Sequence, residues 1–300
     1  MINKMSIKMG FENKKYEYLF KFIIILGFYF ATGKLGLSLD AVNRFAALVW
    51  MPAGIALASL LLYGYKIWPA ITLGAFLVNF TTGASLLASL GIAAGNTLEA
   101  IIGYYILKKV NFQNSFNSIK DMRWFVFVAL TSAIVSAFVG VSSLYLDKLI
   151  SNSDFLKTMT VWWFGDFLGI LIVTSLILIW FSKTNEKKDK INEVLILIFL
   201  LLIINTLVFG NILNGQLKGL PIAYLIYPVL IWAALKFSKK WMITSVFITS
   251  AVAITGTAMG FGPFATEKIY QSLFLLQLFI GITFLIFLFL SITKSSNIKT

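Results

Sequence analysis

The chain has 300 residues, of which 59% are hydrophobic and only 12% charged, and a mean hydropathy of +0.89; a soluble domain carries about 25% charged residues, so a soluble globular fold is excluded. Histidine and cysteine are both absent, which removes disulfide frameworks, thiol nucleophiles, imidazole bases and His/Cys metal centres. The net charge of +13 would suggest a nucleic-acid partner in a soluble protein, but here the lysines punctuate apolar runs and no nucleic acid, cofactor or metal is expected.

Apolar runs of membrane-spanning length, about 20 residues, fall at 18–39, 46–64, 67–83, 86–107, 124–146, 160–182, 192–211, 220–236, 241–259 and 270–293. The first is too long for a signal-peptide core and follows a long basic segment, so it is expected to remain as a helix. The charge bias supports this series. With the N-terminus in the cytoplasm, only Lys34, Arg44, Lys148, Lys157, Lys218 and Lys268 fall outside, whereas Lys4, Lys8, Lys14, Lys15, Lys66, Lys108, Lys109, Lys120, Arg123, Lys183, Lys187, Lys188, Lys190, Lys236, Lys239, Lys240, Lys294 and Lys299 fall inside. The expected fold is therefore all-α: a polytopic transmembrane bundle of about ten helices with both termini cytoplasmic, in a bacterial cytoplasmic membrane. Its divisions are a cytoplasmic segment at 1–17, a membrane-embedded domain at 18–293 and a tail at 294–300.

Two stretches punctuate the runs alike. "WMPAGIA" at 50–56 precedes "YGYKIWP", and "YPVLIWAAL" at 227–235 precedes "KFSKKW". Pro52 and Pro228 either interrupt helices, as at transporter binding sites, or occupy first turns where proline is tolerated. Trp68, Trp162 and Trp163 fall at expected helix ends and read as interfacial anchors. The lysine clusters at 14–15, 187–190 and 236–240 mark topology and could also hold anionic lipid.

The embedded polar residues are fewer and more informative. An ionised side chain at the bilayer centre costs several kcal/mol, roughly 3 on insertion scales, yet Asp166 stands in "WWFGDFLGILIVT" and Glu99 in "GIAAGNTLEAIIGYY". Asn96 and Glu99, three residues apart, share a helix face, with Gly95 beside them. Gly165 and Gly169 make a G-x-x-x-G pattern around Asp166, of the kind that lets helices approach closely. The expectation is that the fourth and sixth helices pack together and bring Glu99 near Asp166. Two close carboxyl groups do not both ionise comfortably in low dielectric. The pair is then a buried structural contact, an outward pocket for a cationic or hydroxylated ligand, or a proton-coupling site. Asn79, Asn205 and Gln277 complete the set of polar candidates. Gly165–Asp166 is half of the G-x-G-D motif of intramembrane aspartyl proteases, but Trp163 replaces its first glycine and no partner aspartate lies suitably. Rhomboid-type serine chemistry lacks its histidine. No enzymatic activity is expected.

Taken together, "WMPAGIALASLLLYGYKIWPAITLGAFLVN", "LGIAAGNTLEAIIGYYIL", "WWFGDFLGILIVTSLIL", "YPVLIWAALKFSKKW" and "GFGPF" followed by "LLQLFIG" resemble the integral membrane sensor domain of the MASE type, first class. The resemblance runs from about residue 20 to 290. It implies a bacterial sensory module of the sort that stands before histidine kinases and diguanylate cyclases. Asn96, Glu99 and Asp166 match the family's polar positions, and Trp50, Pro52 and Gly54 its tryptophan–proline–glycine stretch. Met51 and Ser175 depart from it, standing where the family often has proline. Only "ITKSSNIKT" follows Ser291, so the expectation is a stand-alone module that signals through a separate partner of kinase or cyclase type, with membrane lipid around it and a small-molecule ligand in an outward polar pocket. The alternative is a proton- or cation-coupled secondary transporter using Glu99 and Asp166.

Overall fold

The computed structural model describes residues 14–38, 45–183, 189–210, 212, 222–267 and 269–297. The topology markers Lys4, Lys8, Arg44, Lys187, Lys188, Lys218, Lys268 and Lys299 lie outside the described residues, as do 1–13 and 298–300 of the two end segments. Every regular element among the described residues is helical. In chain order they are α1 (Lys14–Ser38), α2 (Met51–Tyr63), α3 (Trp68–Phe80), α4 (Leu86–Lys109), α5 (Ile119–Leu146), α6 (Asn152–Gly169), α7 (Ile191–Phe209), α8 (Tyr227–Lys236), α9 (Lys239–Ala258) and α10 (Ile269–Asn297). Helix α6 does not stop at Gly169: it widens into a π turn at Ile170–Thr174 and continues as Ser175–Phe181.

Seven of these helices are long and apolar enough to cross a membrane: α1, α4, α5, α6 with its continuation, α7, α9 and α10. The remaining three are shorter, at 13 residues for α2 and α3 and 10 for α8, so the expectation of ten runs of full spanning length is corrected. A proline stands in the first turn of each of the three, Pro52, Pro69 and Pro228, where the missing N–H is harmless. The apolar residues upstream of Pro52, Phe45–Trp50, are not helical, yet they are buried. Upstream of Pro228 the chain forms a short 3-10 helix, Ile222–Ile226.

The chain divides into two compact units, Met1–Asn111 with Phe127–Ile170, and Phe112–Val126 with Leu171–Thr300. In the first unit α4 is the central helix and packs on α2 and α3. Ser85 starts it, its Oγ accepting from Ala88 N at 3.2 Å and its own N–H donating to Asp147 Oδ2 at 3.1 Å. Lys108 and Lys109 close its last turn, where positive charge meets the helix dipole favourably. Its glycines are contact points: a Cβ on Gly95 would meet Val139 and the carbonyl of Ser136 on α5, and one on Gly103 would meet Leu57 on α2 and Val128 on α5.

The glycines of α6 do something different from what their spacing suggests. A Cβ on Gly165 would collide with the carbonyl oxygen of Ala47, and one on Gly169 with that of Trp50. Trp50 N–H donates to Gly165 O at 2.8 Å. The G-x-x-x-G face therefore receives the unwound backbone of 47–50, and α6 packs on α2. Backbone without helical hydrogen bonds survives at membrane depth only where protein covers it; two glycines let the cover come close enough to supply a bond.

In the second unit α9 packs on α7 and α10, and α8 on α9 and α10. A Cβ on Gly256 of α9 would strike Phe209 O of α7. Lys239 is buried, and its Nζ donates to Phe116 O at 3.1 Å, Ser115 O at 3.3 Å and Asn117 Oδ1 at 2.9 Å. Lys294 Nζ donates to Phe237 O and Ala234 O, at 2.9 and 3.3 Å, at the C-terminal end of α8. Two ammonium groups thus satisfy carbonyls that helix ends and turns leave open.

Candidate functional site

The first unit encloses a cluster of polar and aromatic side chains drawn from separate elements. Helix α1 brings Tyr29, the unwound segment Trp50, α4 Asn96 and Glu99, α5 Ser136, and α6 Trp162 and Asp166; all are buried. Asn96 organises one side. Its Oδ1 accepts from Tyr29 O–H at 3.0 Å and from Trp50 Nε1–H at 3.1 Å, and its Nδ2 donates to Ile92 O at 2.9 Å. Ser136 organises the other, its Oγ accepting from Trp162 Nε1–H at 3.2 Å.

The aromatic rings are seated on glycines. A Cβ on Gly74 of α3 would stand 2.9 Å from the Tyr29 ring, and one on Gly140 of α5 would stand 2.8 Å from the Trp162 indole. Any larger residue there would push a ring out of place, because interiors have no spare room at this density.

Between these two sides lie the acids. Glu99 and Asp166 act on each other electrostatically, and both act on Tyr29. Ser136 Oγ stands beside both carboxyl groups without reaching hydrogen-bond geometry to either, and all four carboxyl oxygens are buried with no hydrogen-bond partner. Trp162 Nε1–H, which also lies beside Asp166, is engaged with Ser136, and the Tyr29 hydroxyl and the Trp50 indole are engaged with Asn96. Buried polar atoms nearly always find partners, so four bare carboxyl oxygens in one place are an unusual arrangement.

The structure brings Asn96, Glu99 and Asp166 together, with Trp50 and, through the backbone, Gly95, Gly165 and Gly169 in support. Asn79 is buried on α3, and its Nδ2 bonds its own helix at Ala75 O, 2.8 Å away. Gly54 is buried within α2. Asn205 and Gln277 belong to the second unit. Asn205 Nδ2 donates to Leu201 O at 2.8 Å and Thr249 Oγ1 at 3.3 Å, and Gln277 is buried on α10. Pro228 begins α8.

Trp162 corrects an expectation. It is no interfacial anchor but a buried indole with a polar partner, while Trp68 is exposed and Trp163 is half-buried with its Nε1–H on Leu130 O at 2.9 Å. Tyr29 and Ser136 escaped sequence reading altogether. A tyrosine in "GFYFATG" or a serine in "TSAIVSAFVG" carries no pattern that separates it from an ordinary membrane helix.

A family model, MASE1, matches residues 22–297. The chain belongs to the MASE1 family. MASE1 is a membrane sensory domain, so this protein is a multi-pass, membrane-integrated sensory module, and the matched span includes every element from the middle of α1 to the end of α10. No curated protein and no solved structure is detectably similar to it.

Proposed function

We propose that this MASE1 domain takes a small signal at the Asn96–Glu99–Asp166 cluster and passes it to an output protein of histidine-kinase or diguanylate-cyclase kind. The observation that carries this reading is the pair of buried carboxyl groups without hydrogen bonds, held among donors already committed elsewhere. A merely structural pair would be expected to use those donors, since a half-satisfied buried network is worse than an apolar core. The positive-inside bias supports an orientation that opens this part of the domain toward the extracytoplasmic side.

Because α1, α4, α5, α6 and the unwound segment all contribute a side chain to the cluster, a ligand that prefers one arrangement of them shifts their packing by its difference in affinity. Catalysis has no part in this reading. The decisive experiment compares cells carrying the wild-type protein with cells carrying Asp166→Asn or Glu99→Gln, reading the phosphorylated proteome and the cyclic dinucleotide pool. Either substitution should hold the output in one state, whereas Asn79→Ala should leave it responsive. An output indifferent to both acid substitutions would overturn the proposal.

A second reading, a proton- or cation-coupled transporter, is favoured by one feature: non-helical or 3-10 backbone precedes a short proline-led helix at both 45–50 and 222–226, as in transporters with broken helices. Gradient-driven, concentrative uptake into proteoliposomes that vanishes in Asp166→Asn would decide for it.

A further inference from the structure

We propose that the ligand of the acid cluster is a single monovalent cation, held between Glu99 and Asp166. This rests on the reading of the cluster as the sensory site and adds the chemical class of what it binds.

Charge comes first. The cluster contains two carboxyl groups and no basic side chain, and the ion pairs Lys21–Glu17 and Lys236–Glu193 lie elsewhere. Two carboxylates cannot both stand ionised in surroundings this dry unless a positive charge joins them. That charge is either a proton or a cation.

Geometry discriminates between these. A proton satisfies one oxygen and turns it into a donor that itself needs an acceptor. Shared between the two acids, it serves one oxygen of each and leaves two bare, and the helpers are few: Tyr29 and Trp50 donate to Asn96 and Trp162 to Ser136, so that only the Ser136 hydroxyl is left to donate. A cation, in contrast, is coordinated by several oxygens at once and needs no donors at all. The groups able to ligate it are all oxygens, the carboxyl groups of Glu99 and Asp166 and the hydroxyl of Ser136 beside both. Such a set suits hard cations rather than soft ones.

Valence follows from the ligand count. Calcium takes 6–8 oxygens, commonly with several carboxylates, and magnesium keeps much of its water shell. Among the described residues no third acidic, histidine or cysteine ligand joins the pair. One cation of charge +1 matches a pair that otherwise shares one proton. Its entry would send that proton to water and leave the charge of the cluster unchanged. Tyr29 is the further titratable group that acts on both acids.

The test uses the full chain in lipid nanodiscs, at constant ionic strength and pH, with N-methyl-glucamine chloride as the inert salt. Sodium, potassium, ammonium and methylammonium chlorides are titrated separately, so that an alkali-metal site and an ammonium-type site are told apart. The readouts are indole fluorescence, from Trp50 and Trp162 in the cluster, thermal unfolding, and proton release in weak buffer. One of these cations should raise the unfolding temperature saturably. At a concentration a hundred times its Kd, the folded-to-unfolded ratio should rise about a hundredfold. About one proton should appear per cation bound. The response should disappear in Glu99→Gln/Asp166→Asn and persist in Asn79→Ala.

Indifference of the wild-type protein to all four salts would overturn the cation, with no need for any variant to fold. So would an undiminished response in the doubly neutralised variant. If Asp166→Asn nevertheless freezes the cellular output, the sensory reading survives without the cation; if the salts bind but the output ignores the acids, the cation survives and the sensory reading falls.

Discussion

The contact between α6 and the unwound segment gives the sharpest mechanical prediction. Replacing Gly169 by alanine drives a methyl group into the carbonyl oxygen of Trp50, and the same change at Gly165 drives one into Ala47 O. Neither obstacle is a side chain that can swing away. Overpacking costs about 1–3 kcal/mol, and against fixed backbone the upper part of that range applies. Alanine also recovers about 1 kcal/mol of helix propensity over glycine. The net loss for Gly169→Ala should therefore be about 1–2 kcal/mol. Gly27, exposed on α1 with nothing within 4 Å of a new Cβ, is the control, and Gly27→Ala should be neutral or stabilising by up to about 1 kcal/mol. Denaturant unfolding in micelles measures the gap between the two variants, expected at about 1–3 kcal/mol by the same figures. Indole fluorescence reports the accompanying displacement of Trp50 from Asn96. If Gly169→Ala unfolds together with Gly27→Ala and its fluorescence is unchanged, the segment does not rest on those glycines and the account of the fold around the cluster fails.

Asn96→Leu should strand the Tyr29 hydroxyl and the Trp50 indole N–H, at about 1–3 kcal/mol for each donor left buried and unpaired; calorimetry on the purified variant should show a much larger fall in Tm than Asn79→Ala, whose Nδ2 bond is local. Ser136→Ala removes the acceptor of Trp162 Nε1–H. Bonds of this kind inside membranes average about 0.6 kcal/mol, so stability should fall slightly while the indole emission shifts. Lys239→Met keeps the aliphatic stem but loses the ammonium that holds Ser115, Phe116 and Asn117. Limited proteolysis should then find a new cut in 112–118, which Lys240→Met should not produce.

Much of the fold was legible because hydrocarbon imposes a simple rule on composition: ten apolar runs correspond to ten helices among the described residues. The lengths were less legible. Hydropathy counts Ala46–Trp50 as part of a spanning run, since it registers apolarity but not that Pro52 marks the first turn of a helix beginning only at Met51. The site shows the same division. Asn96 and Glu99 announce themselves as polar letters three apart in an apolar helix, and Asp166 as a lone acid. Their companions do not, because Tyr29, Ser136 and Trp162 are ordinary membrane-helix residues until tertiary packing sets them around a carboxyl group. The glycines were visible but their partner was not: spacing says that something approaches closely, and only the fold says that it is unwound chain.

The wide turn at Ile170–Thr174 has a consequence for anyone projecting this helix onto a wheel. One surplus residue retards the rotation of everything after it by roughly 100°, the angle of a single α-helical step. Faces drawn from Asp166 forward to Trp180 at uniform pitch are therefore misassigned by more than a quarter of a circle.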